Sequence, residues 1–305
     1  MQAWIIGTPA RGRPAARVAG AAGGVHNAGH VRAAHDLAGW PRAVAGALRD
    51  GTPACGEGLL FRSGVEALEP AEASGGTTDL ATGPRTIAYL PPGAAAPRDY
   101  HVCVPASYSP GSAWPLVVVL HGSPGSPALA DPAARTVRDA WSARAAASGF
   151  LVLAPVASGP TAGGWLASDE AAIVAAIADL EARYNLDRRR RYLWGFSAGG
   201  HFAHGLALAR ADHFAAYGVN AGVLQAYAGV DAPAAAACRL PLSVRVGDGD
   251  AAGLLDAARA DRTRFDAAGW AAGVDRQYVE FAGGHAFGAT DIDAHWAWFA
   301  SRQRP

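Results

Sequence analysis

The chain has 305 residues, with 26 basic and 26 acidic side chains, a formal net charge of zero and a sequence pI near 7.2. That balance excludes binding driven by net charge, so neither nucleic acid nor an acidic membrane surface is an expected partner. No apolar run reaches the roughly 18–20 residues that cross a bilayer, and the length suits one large α/β core with an appendage.

Residues 1–80 differ in texture from the rest. They are rich in Ala, Gly, Arg and Pro and lack strand-like alternation, which predicts a disordered or marginally helical extension. Only 31–48 suggests a helix, and Pro41 interrupts it. His26, His30 and His35 have no cysteine or carboxylate support and are read as unrelated to metal, so no metal or other cofactor is expected. The start lacks a basic region ahead of its short apolar run, so cytoplasm is the default location, with export as the alternative. Cys55, Cys103 and Cys238 are an odd set without metal-type spacing. They read as buried thiols, or as a Cys103–Cys238 bridge in an exported protein.

From 85 onward strands and helices alternate. Segments 86–90 and 100–104 read as strands, and 115–120 (PLVVVL) is the β-branched run of a strand covered on both faces. It leads into His121-Gly122-Ser123. A helix over 132–147, a strand over 150–156 and a helix over 169–184 follow, with a glycine-rich loop at 157–165 that carries Trp165. The arginines at 188–191 read as a solvated loop leading into the next strand. Later strands are expected at 214–220, 242–246 and 276–281, with helices at 251–267 and over the stretch holding Ile292, Trp296 and Phe299. The pattern implies one domain over 85–303, a mostly parallel sheet of about eight strands with helices on both faces. The span between 220 and 242 is too short for a large cap domain.

The organising stretch is Trp194-Gly195-Phe196-Ser197-Ala198-Gly199-Gly200, between an apolar strand and an alanine-rich helix. Gly-x-Ser-x-Gly in that context is the pattern of a nucleophile elbow, a strained strand-to-helix turn that lifts the serine above the sheet edge. Two further candidates follow later strands: Asp248 or Asp250 after Val246, and His285 after Phe281. The order Ser, Asp, His is that of an α/β-hydrolase. A serine hydroxyl attacks only when an imidazole accepts its proton, and the imidazole needs a carboxylate to fix its tautomer. The developing oxyanion needs backbone donors, for which Ala198 N–H and Ser123 N–H are the candidates. His121 and Trp165 are the candidate substrate-groove residues; core packing is the alternative for Trp165.

These pieces resemble the esterase family that includes polyhydroxybutyrate depolymerases and feruloyl esterases. The resemblance rests on Val102-x-Val104-Pro105 with Tyr108, the 115–122 run, and Tyr184-Asn185-Leu186-Asp187. It continues through Gly195-Phe196-Ser197-Ala198-Gly199-Gly200, Phe214-Ala215-Ala216, Gly283-Gly284-His285 and Trp296-x-Trp298-Phe299. It implies a serine esterase acting on short-chain, feruloyl-type or hydroxyalkanoate esters through an acyl-enzyme. By the G-x-x-D pattern from Gly247 it also implies Asp250 as the triad acid. A peptidase of the prolyl-oligopeptidase type, an acyltransferase and a non-catalytic binding relative are the alternatives.

Overall fold

The computed structural model describes residues 54–55 and 72–304. The expectations for 31–48 and for His26, His30 and His35 lie outside the described residues. Residues 72–80, placed in the extension by composition, lie along the body: Ser74 Oγ donates to the carbonyls of Glu181 (3.0 Å) and Tyr184 (2.9 Å) and accepts Leu186 N–H at 2.9 Å.

Eight strands form one sheet. They are β1 (Gly83–Tyr89), β2 (Arg98–Val104), β3 (Trp114–Leu120), β4 (Leu151–Pro155), β5 (Leu186–Phe196), β6 (Ala216–Asn220), β7 (Leu242–Gly247) and β8 (Arg276–Phe281). The spatial order is β1-β2-β4-β3-β5-β6-β7-β8. β1 pairs antiparallel with β2, and β2 antiparallel with β4, while every later pairing is parallel.

Alternation along each strand sends side chains to two apolar layers. In β3, Val117 and Val119 face the layer filled by Val137 and Trp141 of α1 (Ala130–Ser148) and Phe299 of α6 (Ala289–Ala300). Leu116, Val118 and Leu120 face the other layer. There they meet Ile173 and Ile177 of α2 (Asp169–Arg183), Phe202 and Leu206 of α3 (Ala198–Ala209) and Phe265 of α5 (Ala252–Ala267). A sheet buried on both faces requires runs such as PLVVVL, because neither side of the strand meets water. Between β6 and β7 the chain adds only a 3-10 turn and the short α4 (Ala232–Ala235).

Two expectations are corrected. The arginine run belongs to β5 rather than to a free loop. Pairing with β3 jumps from Trp114–Leu186 to Leu116–Arg191, so the arginines occupy an irregular, half-buried stretch of strand. Carboxylates hold them there: Arg188 and Arg191 both reach Glu181 at 3.1 Å, and Arg190 reaches Asp187 at 2.5 Å. The second correction concerns the cysteines. The disulfide joins Cys55 to Cys238, and Cys103 is free and buried. Cys103 packs into the α1/α6 layer, whereas Cys238 packs against the opposite one, and β4, β3, β5 and β6 stand between β2 and β7. No bridge spans that separation.

Among the described residues no helix is long and apolar enough to cross a membrane.

Candidate active site

Parallel sheets bind ligands beyond the carboxyl ends of their strands, where neighbouring connections depart in opposite directions. Here β3 leads through α1 to β4 on one side, and β5 leads through α3 to β6 on the other. The crevice therefore opens between the ends of β3 and β5, where His121-Gly122-Ser123 and Ser197 lie.

Ser197 has φ 54° and ψ −120°, a left-handed conformation that costs a non-glycine residue energy unless its surroundings impose it. The flanking glycines are what impose it. A Cβ on Gly195 would stand 2.1 Å from the Gly199 carbonyl oxygen, and one on Gly199 would stand 2.4 Å from that of Leu120. Strand and helix can cross this closely only without side chains. Ser197 N–H is fixed by the Asn220 carbonyl at 2.9 Å. The Asn220 side chain is itself clamped, its Oδ1 accepting from Trp194 Nε1 at 3.0 Å and from His295 Nε2 at 2.7 Å.

Ser197 Oγ lies 2.8 Å from His285 Nε2, and His285 Nδ1 lies 2.9 and 3.0 Å from the two oxygens of Asp250. One tautomer satisfies the whole chain: Nδ1–H donates to Asp250, leaving Nε2 to accept the serine proton. The Asp250 carboxylate is buried at 1% exposure, while the His285 side chain is 35% exposed, so the imidazole faces an open site. Asp250 also accepts Ala251 N–H at 2.7 Å. The two aspartates differ in position: Asp250 faces His285, and Asp248 does not. Asp248 is exposed and accepts Gly283 N–H at 3.0 Å, a bond that builds the histidine loop. That loop is further tied to the acid loop by Gly249 N–H to the Gly283 carbonyl at 2.7 Å. A Cβ on Gly247 would lie 2.4 Å from the carbonyl oxygens of Gly283 and Gly284, so glycine there lets the two loops meet.

Ala198 N–H is at the first turn of α3, where helix amides lack internal partners and the dipole favours negative charge. Among the described residues neither it nor Ser123 N–H donates to a protein acceptor, and a Cβ on Gly122 would stand 3.1 Å from Ser197 Cβ. Ala198 directly follows the nucleophile, and Gly122, the residue before Ser123, packs against it.

His121 and Trp165 do not line a groove. Both are buried, at 1% and 3% exposure, because the loops after β3 and β4 fold over them. His121 Nδ1–H donates to the Gly122 carbonyl at 2.7 Å, and its Nε2 accepts Ala157 N–H at 3.2 Å. A second proton on the ring would face that N–H, and burial lowers the imidazole to about 4, so His121 is neutral. His201 accepts Val223 N–H at 2.8 Å, and His204, lowered by burial to about 3, stacks on Phe265; both serve packing. The residues that sequence reasoning missed are Asn220 and Tyr227. Asn220 had one visible signal, a polar side chain ending an apolar strand.

No protein-family model matches the chain. A curated bifunctional acetylxylan esterase/xylanase from Neocallimastix patriciarum is 32% identical over 130 residues, 42% of this chain and 18% of that protein. The chain thus matches about a fifth of the length of that curated relative. Among solved structures, a ferulic acid esterase from Anaeromyces mucronatus, determined with ferulic acid, superposes with a TM-score of 0.53 at 16% identity. That superposition covers 79% of this chain and 94% of the esterase. Dipeptidyl peptidase 4 from Porphyromonas gingivalis gives a TM-score of 0.53 at 15% identity, over 70% of this chain and 34% of the peptidase. Strand order, elbow and these likenesses together establish that the chain has the α/β-hydrolase fold.

Proposed function

We propose that this chain is a serine carboxylic-ester hydrolase working through an acyl-enzyme. The observation that carries the reading is the 2.8 Å contact between Ser197 Oγ and an imidazole whose other nitrogen is held by buried Asp250. Ser197 Oγ attacks the ester carbonyl as its proton passes to His285 Nε2. The tetrahedral oxyanion is held by the Ala198 and Ser123 amides. Collapse expels the alcohol, which takes the proton from His285. Water, deprotonated by the same imidazole, then releases the acid and restores the serine.

Short acyl and aromatic acyl esters are the favoured substrates. The partly exposed imidazole and the short connection between β6 and β7 support an open site, and the relatives include acetylxylan and ferulic acid esterases. Likeness to the solved ferulic acid esterase and to the dipeptidyl peptidase, at 16% and 15% identity, shows the shared fold alone. Among the relatives it is therefore the acetylxylan esterase match that favours esters. The Cys55–Cys238 disulfide supports an oxidising compartment, hence export, over the cytoplasmic default.

The test is hydrolysis of p-nitrophenyl acetate, p-nitrophenyl butyrate and methyl ferulate, with a peptide p-nitroanilide panel beside them. Wild type should turn over the esters and Ser197→Ala should lose at least about 10³-fold in kcat. Equal rates in the two proteins refute the proposal, and preference for the anilides moves it to a peptidase.

A further inference from the structure

We propose that Trp165, buried and out of reach of substrate, is a positioning residue that fixes the loop carrying the Ser123 oxyanion donor. The proposal rests on the esterase reading above.

Ser123 N–H belongs to the Gly122–Ser123 peptide, whose carbonyl accepts His121 Nδ1–H at 2.7 Å. The His121–Gly122 peptide immediately before it anchors the backbone from which both the imidazole and that peptide project. The His121 carbonyl occupies an awkward place. The last ladder pairing of β3 is Leu120 with Gly195, and beyond it β5 turns into the elbow and offers no strand partner. The His121 carbonyl oxygen instead lies against the first turn of α3, 2.5 Å from where a Gly199 Cβ would be. Trp165 Nε1–H donates to this oxygen at 2.8 Å. Without that donor a buried carbonyl beside the nucleophile would be unsatisfied, and the peptide would be drawn to rotate toward another partner.

Trp165 is in turn held on three sides. Its ring lies 4.9 Å from that of His121 and stacks on Phe202 at 5.4 Å, and its own carbonyl accepts Tyr227 O–H at 2.8 Å. Tyr227 comes from the connection after β6 and meets Phe202 edge-on at 5.3 Å. The chain of contacts thus runs from the β6 connection through the β4 loop to the peptide that precedes the oxyanion donor. Other bonds join the same two loops, Ser123 Oγ to the Ala162 carbonyl at 2.8 Å and Gly125 N–H to that carbonyl at 3.0 Å. Of these, the indole bond is the one made to the His121–Gly122 peptide itself.

A donor misaligned by a rotated peptide weakens the tetrahedral intermediate more than the bound ester, so the loss falls on kcat rather than KM. Removing an oxyanion donor outright costs roughly 10²–10³ in kcat; tilting one should cost about 10–100-fold. The experiment compares wild type, Trp165→Phe, which keeps an aromatic ring and loses the N–H, and Tyr227→Phe, which keeps the volume and frees the Trp165 carbonyl. For each, kcat and KM are measured on p-nitrophenyl butyrate, with inhibition by an aryl trifluoromethyl ketone (a tetrahedral oxyanion mimic) and by butyrate. For Trp165→Phe the expected result is a 10–100-fold fall in kcat, KM within about twofold, and ketone affinity falling in step while butyrate inhibition holds. Tyr227→Phe should move the same readouts in the same direction by less. An active wild type matched by Trp165→Phe in kcat and ketone affinity overturns the positioning role, even if thermal stability falls. A rise in KM at constant kcat overturns it in favour of substrate contact. A wild type inert toward ester and ketone sinks the esterase reading and this proposal with it.

Discussion

Replacing Asp250 by asparagine tests the wiring of the site at one atom. The carboxylate has two clients: His285 Nδ1–H at 2.9–3.0 Å and Ala251 N–H at 2.7 Å. A carboxamide of the same shape has one acceptor oxygen. Ala251, the residue before α5, donates to Oδ1, so the amide oxygen is expected to keep that place. The NH₂ then takes the place of Oδ2, the nearer oxygen to His285 Nδ1 at 2.9 Å. That forces the imidazole proton onto Nε2, where it opposes the Ser197 hydroxyl instead of accepting its proton. The equivalent change in a serine-protease triad costs about 10⁴ in kcat, equivalent to about 5.5 kcal/mol of barrier. The same magnitude is expected here, because the Asp250 carboxylate is buried and water cannot substitute for it. Asp248→Asn is the control. It retains an oxygen for Gly283 N–H at an exposed position and should stay within about tenfold of wild type. Turnover of p-nitrophenyl butyrate, with circular dichroism to verify folding, reads both variants. Asp250→Asn within tenfold of wild type, or Asp248→Asn as impaired as Asp250→Asn, would refute the reasoning.

Further outcomes are expected. Gly199→Ala should lower both the denaturation midpoint and kcat, costing about 1–3 kcal/mol of stability, because its Cβ would stand 2.4 Å from the Leu120 carbonyl oxygen. Gly253→Ala in α5 meets nothing within 4 Å and should be neutral or slightly stabilising; urea melts of the two variants check this. Thiol titration of the unfolded, unreduced protein should find one free thiol, Cys103, and three would refute the bridge. The Cys55→Ser/Cys238→Ser double variant should lose up to about 5 kcal/mol of stability by the loop-entropy relation, given a sequence separation of 183. Its kcat should hold, since Cys238 lies just before β7 begins, at the end of the sheet opposite the triad. Stability should also fall as acidity rises from about pH 6.5. Burial lowers His121 to about 4 and His204 and His295 to about 3, whereas an unfolded imidazole titrates near 6.5. The unfolded chain therefore binds these protons first. Stability is full above about pH 6.5 and is lost as pH falls toward 3–4, by up to about 1.4 kcal/mol per pH unit for each histidine. Urea midpoints at pH 7.5, 6.5 and 5.5 check the sign, and a midpoint unchanged or rising toward pH 5.5 would contradict it.

Much of the fold and of the candidate site was legible in the residues, because the relevant signals are local. PLVVVL can satisfy its apolar side chains only between two layers, and Gly195-x-Ser197-x-Gly199 can make its turn only where strand and helix touch. Placing Ser197, the aspartates and His285 just beyond strand ends needed only the periodicity of the flanking segments. What the residues left open were choices between partners distant along the chain. Asp248 and Asp250 stand two apart on one turn, and only the crossing of that turn with the Gly283–Gly284 loop directs Asp250 at the imidazole. For Cys238 the residues suggested Cys103, but the strand order puts Cys103 across the sheet, and the β-bridge between Ala54 and Arg239 brings Cys55 beside Cys238. Trp165 sits in a glycine-rich loop whose composition suits a groove, yet the loop folds inward and its indole N–H donates to the His121 carbonyl. Sequence determined which segments become strands and helices, since hydrophobic period and backbone preference act over a few residues. Tertiary structure decided which side chains meet, because that depends on strand order and loop path, which no short window of residues contains.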